Sequence, residues 1–208
     1  MTDNPFFEAW TTPFGLPPFD RIRPEHFPPA FDKAMAEHSA EIAAITGSAA
    51  APTFTNTIEA LERSGRWLDR VSRVFFNLDS SNTNESLEAI SRDYAPKLAQ
   101  HQMQIALNEG LFGRIAELYA RRETLGLDAD QLRLLERYHL RLVRSGALLP
   151  PAQKARMPAI AERLAVLHTL FGQNVLHDER DWQLVLGEAD LEGLPGFAKH
   201  QLPIPLVV

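Results

Sequence analysis

Cysteine is absent from this chain of 208 residues. Its absence excludes a disulfide framework, a thiolate zinc site and a cysteine nucleophile, and it fits a reducing compartment. An unbroken apolar run of membrane length is also missing. The first ten residues carry acidic side chains and a proline where a signal peptide needs a basic start and an apolar run. We therefore predict a soluble, cytoplasmic protein.

An excess of basic charge is lacking as well. The chain has 21 Lys and Arg against 27 Asp and Glu, which gives a net charge of -6. Binding to a phosphate backbone is therefore disfavoured. The runs Arg121–Arg122 and Arg137–Arg144 alternate with leucines, and we interpret them as a solvated helix face rather than a nucleic-acid surface. A hydrophobic fraction of 45% is that of a globular protein.

The first 27 residues show no helical or strand period. They are rich in proline, phenylalanine and glycine, and proline excludes both a regular helix and a central strand. Because so many aromatic side chains must pack against something, we predict an extended arm, residues 1–27, lying on a helical body. The side chains that we expect to anchor it are Phe6, Phe7, Trp10, Phe14 and Phe19.

From Phe31 onward the apolar residues recur every three or four positions, which predicts helices. We expect Asn56 to cap one helix, with Glu59 reaching back in a capping box, and Asp128 to cap a later one. Pro96 lies inside a helical pattern, so a kink or break is expected near Asp93. The remaining pattern predicts an all-α body over residues 28–180.

Only residues 181–186 have the composition of a strand. The predicted fold class is all-α, an irregular helical bundle with an extended aromatic arm and at most one short strand near the carboxyl end. We divide the chain into the arm at 1–27, the helical domain at 28–180, and a strand and tail at 181–208.

Seven histidines raise the question of a metal site. No two of them stand at the spacing that places two ligands on one helix, and a site assembled from different helices is left open. A lone histidine on an apolar helix face is usually a hydrogen-bonded core residue, and this is our interpretation of His101 and His139. Gly47-Ser48 and Ser64-Gly65 lack the frame of a hydrolase nucleophile elbow. The histidines are His26, His38, His101, His139, His168, His177 and His200.

Several longer phrases occur in an order that resembles one family. These are the opening NPFFEAWTTPFGLPPFDRIRPEHF, then PTFTNTIEALERSG, LFGRIAELYARR, LLERYHLRLVRSGALL, and finally FGQNVLHDERDWQLVLGEADLEGLP. Together they are similar to the amino-terminal part of the zinc-dependent oligopeptidases of the thimet oligopeptidase and peptidyl-dipeptidase family. The resemblance covers nearly the whole chain, up to about Phe197.

This resemblance implies a largely helical, two-lobed zinc peptidase with a deep channel that admits short, unstructured peptides. In that family a His-Glu-x-x-His helix and a further glutamate hold the zinc. No position here matches those elements, so we assign no catalytic, cofactor-binding or metal-ligating residue, and we expect zinc only in a full-length homologue. The ending KHQLPIPLVV departs from the family and indicates a truncated or frame-shifted product, or a deliberately shortened chain.

The leading hypothesis is a helical domain that forms a wall of the substrate channel and does not cut peptides by itself. It implies short peptides as partners of the whole enzyme, and an exposed apolar surface that promotes self-association where a catalytic lobe would pack. The alternative hypothesis is a stand-alone helical module that binds peptides or proteins. A third is an enzyme whose site is assembled across helices.

Overall fold

The computed structural model describes residues 4–181, 188–193 and 195–196. Helices occupy most of these ranges and no strand occurs in them, so the predicted all-α class is confirmed. Within these ranges no helix has both the length and the apolar composition needed to cross a bilayer. The helices are α1 (Phe27–Thr46), α2 (Ala60–Arg63), α3 (Arg66–Ser81), α4 (Glu85–Ala106), α5 (Glu109–Ala120), α6 (Ala129–Arg144), α7 (Pro151–Lys154) and α8 (Met157–Asp181).

Two compact units are found, Met1–Val166 and Leu167–Val208. The packing described below lies within the first unit. The predicted strand begins at Asp181, which is the last residue of α8, and its other positions fall outside the described residues. The three-part division of the chain stays a prediction.

Capping side chains determine where several helices begin. Asp128 caps α6, and its carboxylate accepts the Gln131 N–H at 2.8 Å while Gln131 Oε1 accepts the Asp128 N–H at 3.2 Å, as predicted. The predicted cap at Asn56 is wrong. Thr53 is the cap of a π-helical segment, Phe54–Glu59, and Asn56 is the third residue of that segment. Asn56 Oδ1 accepts the Thr53 N–H at 2.8 Å. The chain therefore uses the Thr53-x-x-Asn56 box one turn earlier.

Prolines are accommodated better than the sequence pattern suggests. Helix α1 begins at Phe27 rather than Phe31, because prolines in a first turn lack only N–H groups that have no intrahelical acceptor. Helix α4 runs through Pro96 as one helix, so the break expected near Asp93 is not found. Tyr94 and Leu98 on either side of the proline are both buried. We attribute the continuity of α4 to that packing.

An aromatic cluster joins α1, α3, α4 and the arm. Phe75 of α3 meets Phe27 and Phe31 of α1 with ring centroids 5.1 and 5.4 Å apart, both edge to face. Phe31 also stacks on Tyr94 of α4 at 5.2 Å, and Phe6 of the arm lies 5.2 Å from Phe27. Such pairs add to the stability that area burial already gives. This cluster belongs to one of the two hydrophobic cores found among the described residues of the first unit.

Not every aromatic side chain of the arm anchors it. Phe6 is buried, its carbonyl accepts the indole N–H of Trp67 at 3.1 Å, and Trp10 is half-buried beneath the Arg70 guanidinium at 3.7 Å. Phe14, however, is fully exposed at a positive φ of 59°, so its predicted anchoring role is wrong. Phe7 is 44% exposed, but its ring meets Trp67 edge to face with centroids 5.8 Å apart, so it anchors the arm as predicted. Phe19 is 46% exposed. Pro13–Gly15 forms a tight turn that projects the Phe14 ring away from the body.

A second core lies between the carboxyl half of α1, the segment Phe54–Glu59, α5 and α6. Buried Arg114 of α5 holds its edge together. The Arg114 guanidinium donates to Asn56 Oδ1 at 2.9 Å, to the carbonyls of Ser48 and Ala50 at 3.2 and 3.1 Å, and to Thr57 Oγ1 at 3.3 Å. One cation therefore fixes the loop after α1 and the π-helical segment against α5.

Candidate functional site

Two histidines that are far apart in sequence meet inside the first unit. His38 of α1 and His101 of α4 place Nδ1 and Nε2, respectively, 3.0 Å apart. Both positions lie on the apolar stripes of their helices, and His101 is buried. The interpretation of His101 as a hydrogen-bonded core residue is therefore confirmed, while its pairing with His38 could not be read from the sequence.

The turn between α2 and α3 packs against the histidine pair. Ser64 Oγ lies 3.4 Å from His38 Nε2, and the Gly65 N–H donates to Glu41 Oε2 at 2.7 Å. Gly65 has a φ of 68°, and a Cβ built there would lie 2.8 Å from the His38 ring. A glycine is required at this position both for its backbone conformation and for the close approach of the imidazole.

The Ser64 hydroxyl makes its closer contact with the backbone rather than with His38. The Ser64 hydroxyl donates its one proton to the Leu61 carbonyl at 2.7 Å, so it can only accept from His38 Nε2. A nucleophile and its base usually lie about 2.6–3.2 Å apart. The separation of 3.4 Å between Ser64 Oγ and His38 Nε2 is longer than that.

The same cluster does not fit a zinc ion. It offers two imidazole nitrogens that bond to each other, while the Glu41 carboxylate is engaged by Gly65. Across the residues that the structure describes, no group of three or more histidine, aspartate or glutamate side chains could hold a metal. A zinc site requires at least three protein ligands. The assignment of no metal, cofactor-binding or catalytic residue in this chain stays a prediction.

Burial makes the histidine pair sensitive to acid. It lowers the pKa of His38, with Glu41 acting in the opposite direction, and it lowers the pKa of His101, with His38 adding to the effect. In the unfolded chain histidine titrates at about pH 6.5. Between that value and the lower folded values the unfolded state binds more protons, so stability falls with falling pH. We expect urea midpoints to decrease from about pH 7.5 to about pH 5.5.

The double variant His38→Gln/His101→Gln should flatten this pH dependence and leave a residual slope from His139. The pKa of His139 is also lowered by burial and by Arg122. His168 is exposed, and the variant His168→Gln is the matched control that should keep the full slope. An undiminished slope in the double variant would show that the pair does not carry the effect.

His139 has a different setting. Its ring stacks on Tyr119 with centroids 3.9 Å apart and on Phe112 at 5.8 Å. It is half-buried rather than fully buried, so the interpretation as a packed core residue holds in part. His26 of the arm accepts the Arg23 N–H at Nδ1, 3.0 Å away. None of these contacts brings a further histidine to the His38–His101 pair.

A cleft of about 500 Å³ lies along α6 beside Glu62 of α2. Its most prominent side chains are four arginines, here called the arginine row. All four are exposed, in agreement with the predicted solvated face, but they line one cleft. The arginine row consists of Arg133, Arg137, Arg141 and Arg144.

Besides the arginines, the cleft is lined by one polar pair, Tyr138 and Glu62, and by two leucines, Leu134 and Leu140. The Tyr138 hydroxyl donates a short hydrogen bond to the Glu62 carboxylate, and burial, followed by Glu62, raises the pKa of Tyr138. Leu134 is half-buried and Leu140 is 47% exposed. The arginines were visible in the sequence. Glu62, on the other side of the cleft, is 76 residues from Tyr138, so no local sequence pattern predicted that the two would meet.

Comparison with known proteins gives relatives over nearly the whole chain. It is 38% identical over 203 residues to dipeptidyl carboxypeptidase of Escherichia coli, which covers 98% of this chain and 30% of that protein. It is 38% identical over 204 residues to dipeptidyl carboxypeptidase of Salmonella typhimurium, with the same coverage. Oligopeptidase A of Escherichia coli is 29% identical over 188 residues, which is 90% of this chain and 28% of that protein.

No protein-family model matches the chain. The chain spans about 30% of the length of the dipeptidyl carboxypeptidases to which it is similar. The relatives named above are peptidases, and the match is consistent with the amino-terminal region of such enzymes.

Proposed function

We propose that this chain, homologous over 98% of its length to a part of dipeptidyl carboxypeptidase, is the helical domain of a zinc-dependent peptidase that acts on short peptides. It would form one wall of the channel through which peptides reach catalytic residues outside this sequence. The homology is the observation that carries the proposal.

An apolar row on α8 supports a second part of the proposal, packing against another surface. Within the second unit, residues spaced by four positions carry exposed apolar side chains on this helix, and Phe171 is 69% exposed. Such a row is typical of a surface that another polypeptide covers. We propose that the rest of the enzyme covers it, and that isolated chains associate through it. The row consists of Leu167, Phe171 and Val175.

Zinc content and peptide hydrolysis of the isolated chain test the proposal together. After dialysis the chain should hold less than stoichiometric zinc, and a quenched fluorescent peptide should stay uncut with or without chelator. One zinc per chain with chelator-sensitive cleavage would contradict the proposal, because the catalytic residues would then lie within this sequence. The purified chain needs no partner for this measurement.

A second candidate function is a helical module that binds peptides without cutting them. The cleft beside the arginine row favours it, since concave sites of about 300–1,000 Å³ commonly bind small ligands. Peptide affinity of the isolated chain would support this function, and the helical-domain proposal does not require such affinity.

A further inference from the structure

The arginine row has the geometry of a linear anion receptor. Arg133, Arg137 and Arg141 follow one another at four residues and Arg144 at three, so all four stand on one helix face. With a rise of 1.5 Å per residue, the steps along the helix are about 6, 6 and 4.5 Å. An extended peptide places alternate side chains about 6.6 Å apart on one side. The two spacings match closely enough for successive guanidinium groups to meet successive acidic side chains.

These guanidinium groups are available to a ligand. Arg133 pairs with Glu136 at 3.4 Å. In the part of the chain that the structure describes, no carboxylate lies within ion-pair distance of Arg137, Arg141 or Arg144. Glu62 is the one acidic side chain lining the cleft there, and the Tyr138 hydroxyl already binds it. Unpaired guanidinium groups favour carboxylate ligands because both groups form two parallel hydrogen bonds.

Helix stability does not account for the whole row. Arg141 and Arg144 lie in the last turn of α6, where a cation interacts favourably with the helix dipole. Arg137 and Arg133 lie further from that end, and the dipole effect falls off within the last turn. Arg133 has its i,i+3 ion pair with Glu136, so Arg137 is the arginine that neither the dipole nor a helical ion pair explains.

The cleft fits a peptide better than a nucleic acid. Proteins that bind single strands combine a basic groove with free aromatic faces on which bases stack. The one aromatic ring lining this cleft, in the described part of the chain, is Tyr138, and its hydroxyl is held by Glu62. The net charge of -6 repels a long polyanion, while a short acidic segment meets only the local positive potential. Leu134 and Leu140 offer contacts to methylene groups.

We propose that the arginine row of α6 binds an acidic, extended polypeptide segment through its carboxylates. This binding is independent of whether the complete enzyme hydrolyses peptides, because it depends only on residues of the first unit. It requires at least two acidic side chains at alternate positions of the ligand.

Fluorescence anisotropy with a labelled hexapeptide of alternating Glu and Ser tests the proposal. At 50 mM salt the chain should bind this peptide, and the affinity should fall as salt rises to 200 mM. A peptide with Gln in place of each Glu should not bind. The variant Arg137→Gln/Arg141→Gln/Arg144→Gln should bind the acidic peptide at least about tenfold more weakly. Each exposed ion pair contributes modestly, but the variant removes three of them together.

The matched control changes the same number of charges elsewhere. Arg66, Arg156 and Arg163 are exposed and lie outside the cleft, and their triple Gln variant should bind within about twofold of the unchanged chain. Far-UV circular dichroism checks that both variants remain folded. Absence of binding, equal binding by the arginine-row variant, or equal binding of the Gln peptide would overturn the proposal. Tighter binding of a six-nucleotide uridine oligomer would overturn it too, because the row would then recognise phosphates.

Discussion

Replacing Phe75 with alanine is expected to lower the free energy of unfolding by about 3–5 kcal/mol, the usual cost of removing a buried aromatic ring. The Phe75 ring touches both Phe27 and Phe31 edge to face. Its loss leaves a cavity where α1 and α3 meet, and the neighbouring rings cannot fill it without leaving their own contacts. Urea unfolding followed by circular dichroism measures the change.

The next residue in the chain provides the control. Phe76 is 44% exposed, whereas Phe75 is 1% exposed. The variant Phe76→Ala should therefore cost about 1 kcal/mol or less, because nearly half of its side chain keeps contact with water in the folded state. Equal costs for the two variants would contradict the assignment of Phe75 to the core.

Replacing Arg114 with methionine is expected to lower the free energy of unfolding by about 3 kcal/mol. Methionine retains most of the length of the side chain but removes the donor to Thr57 Oγ1 and to the Ser48 and Ala50 carbonyls, while Asn56 Oδ1 keeps the Thr53 N–H. Each unsatisfied buried polar group costs about 1–3 kcal/mol, and partial hydration of the loop reduces the sum. Because Arg114 joins the loop after α1 to α5, the loss should also speed amide exchange in the segment Phe54–Glu59.

Arg121 serves as the comparison for Arg114. It makes one bond to the Pro52 carbonyl at 2.8 Å and an ion pair with Glu117 at 3.1 Å, and its side chain is 44% exposed. The variant Arg121→Met should cost about 1 kcal/mol or less. A cost as large as that of Arg114→Met would mean that the number of buried bonds does not determine stability here.

Local features of the fold were predictable where the controlling residues are neighbours in sequence. Asp128 and its partner Gln131 are three residues apart. The ion pairs Glu59–Arg63 and Asp69–Arg73, formed at 2.9 and 2.7 Å, join residues that are four apart. The predicted cap at Asn56 failed because Thr53 offers the same chemistry three residues earlier. The sequence allows two overlapping capping boxes, one from Thr53 to Asn56 and one from Asn56 to Glu59. The contact of Arg114 with Asn56 Oδ1 accompanies the first of them, and it cannot be seen in the sequence.

Features that depend on distant residues were not predictable. His38 and His101 each lie on an apolar stripe, but the sequence does not say which stripes face each other. The arginines of α6 were visible, whereas the cleft that they line requires Glu62 from another helix. The helical pattern likewise could not show that Tyr94 and Leu98 would be buried on either side of Pro96.

The arm shows the same limit for aromatic residues. Phe6 and Phe14 have similar surroundings of proline and small residues in the sequence, yet one is buried and the other fully exposed. The Phe6 ring packs 5.2 Å from Phe27, and the Phe6 carbonyl accepts the indole N–H of Trp67, which is 61 residues away. Burial in an extended segment depends on such single contacts and not on a repeating pattern.

An exchange of domains tests the central proposal most directly. In this chimera the chain replaces the matching 203-residue segment of dipeptidyl carboxypeptidase of Escherichia coli. Hydrolysis of a quenched fluorescent peptide by the purified chimera is compared with that of the same enzyme lacking the segment. The proposal predicts chelator-sensitive hydrolysis by the chimera and none by the shortened enzyme. A folded, monodisperse chimera without hydrolysis would contradict it.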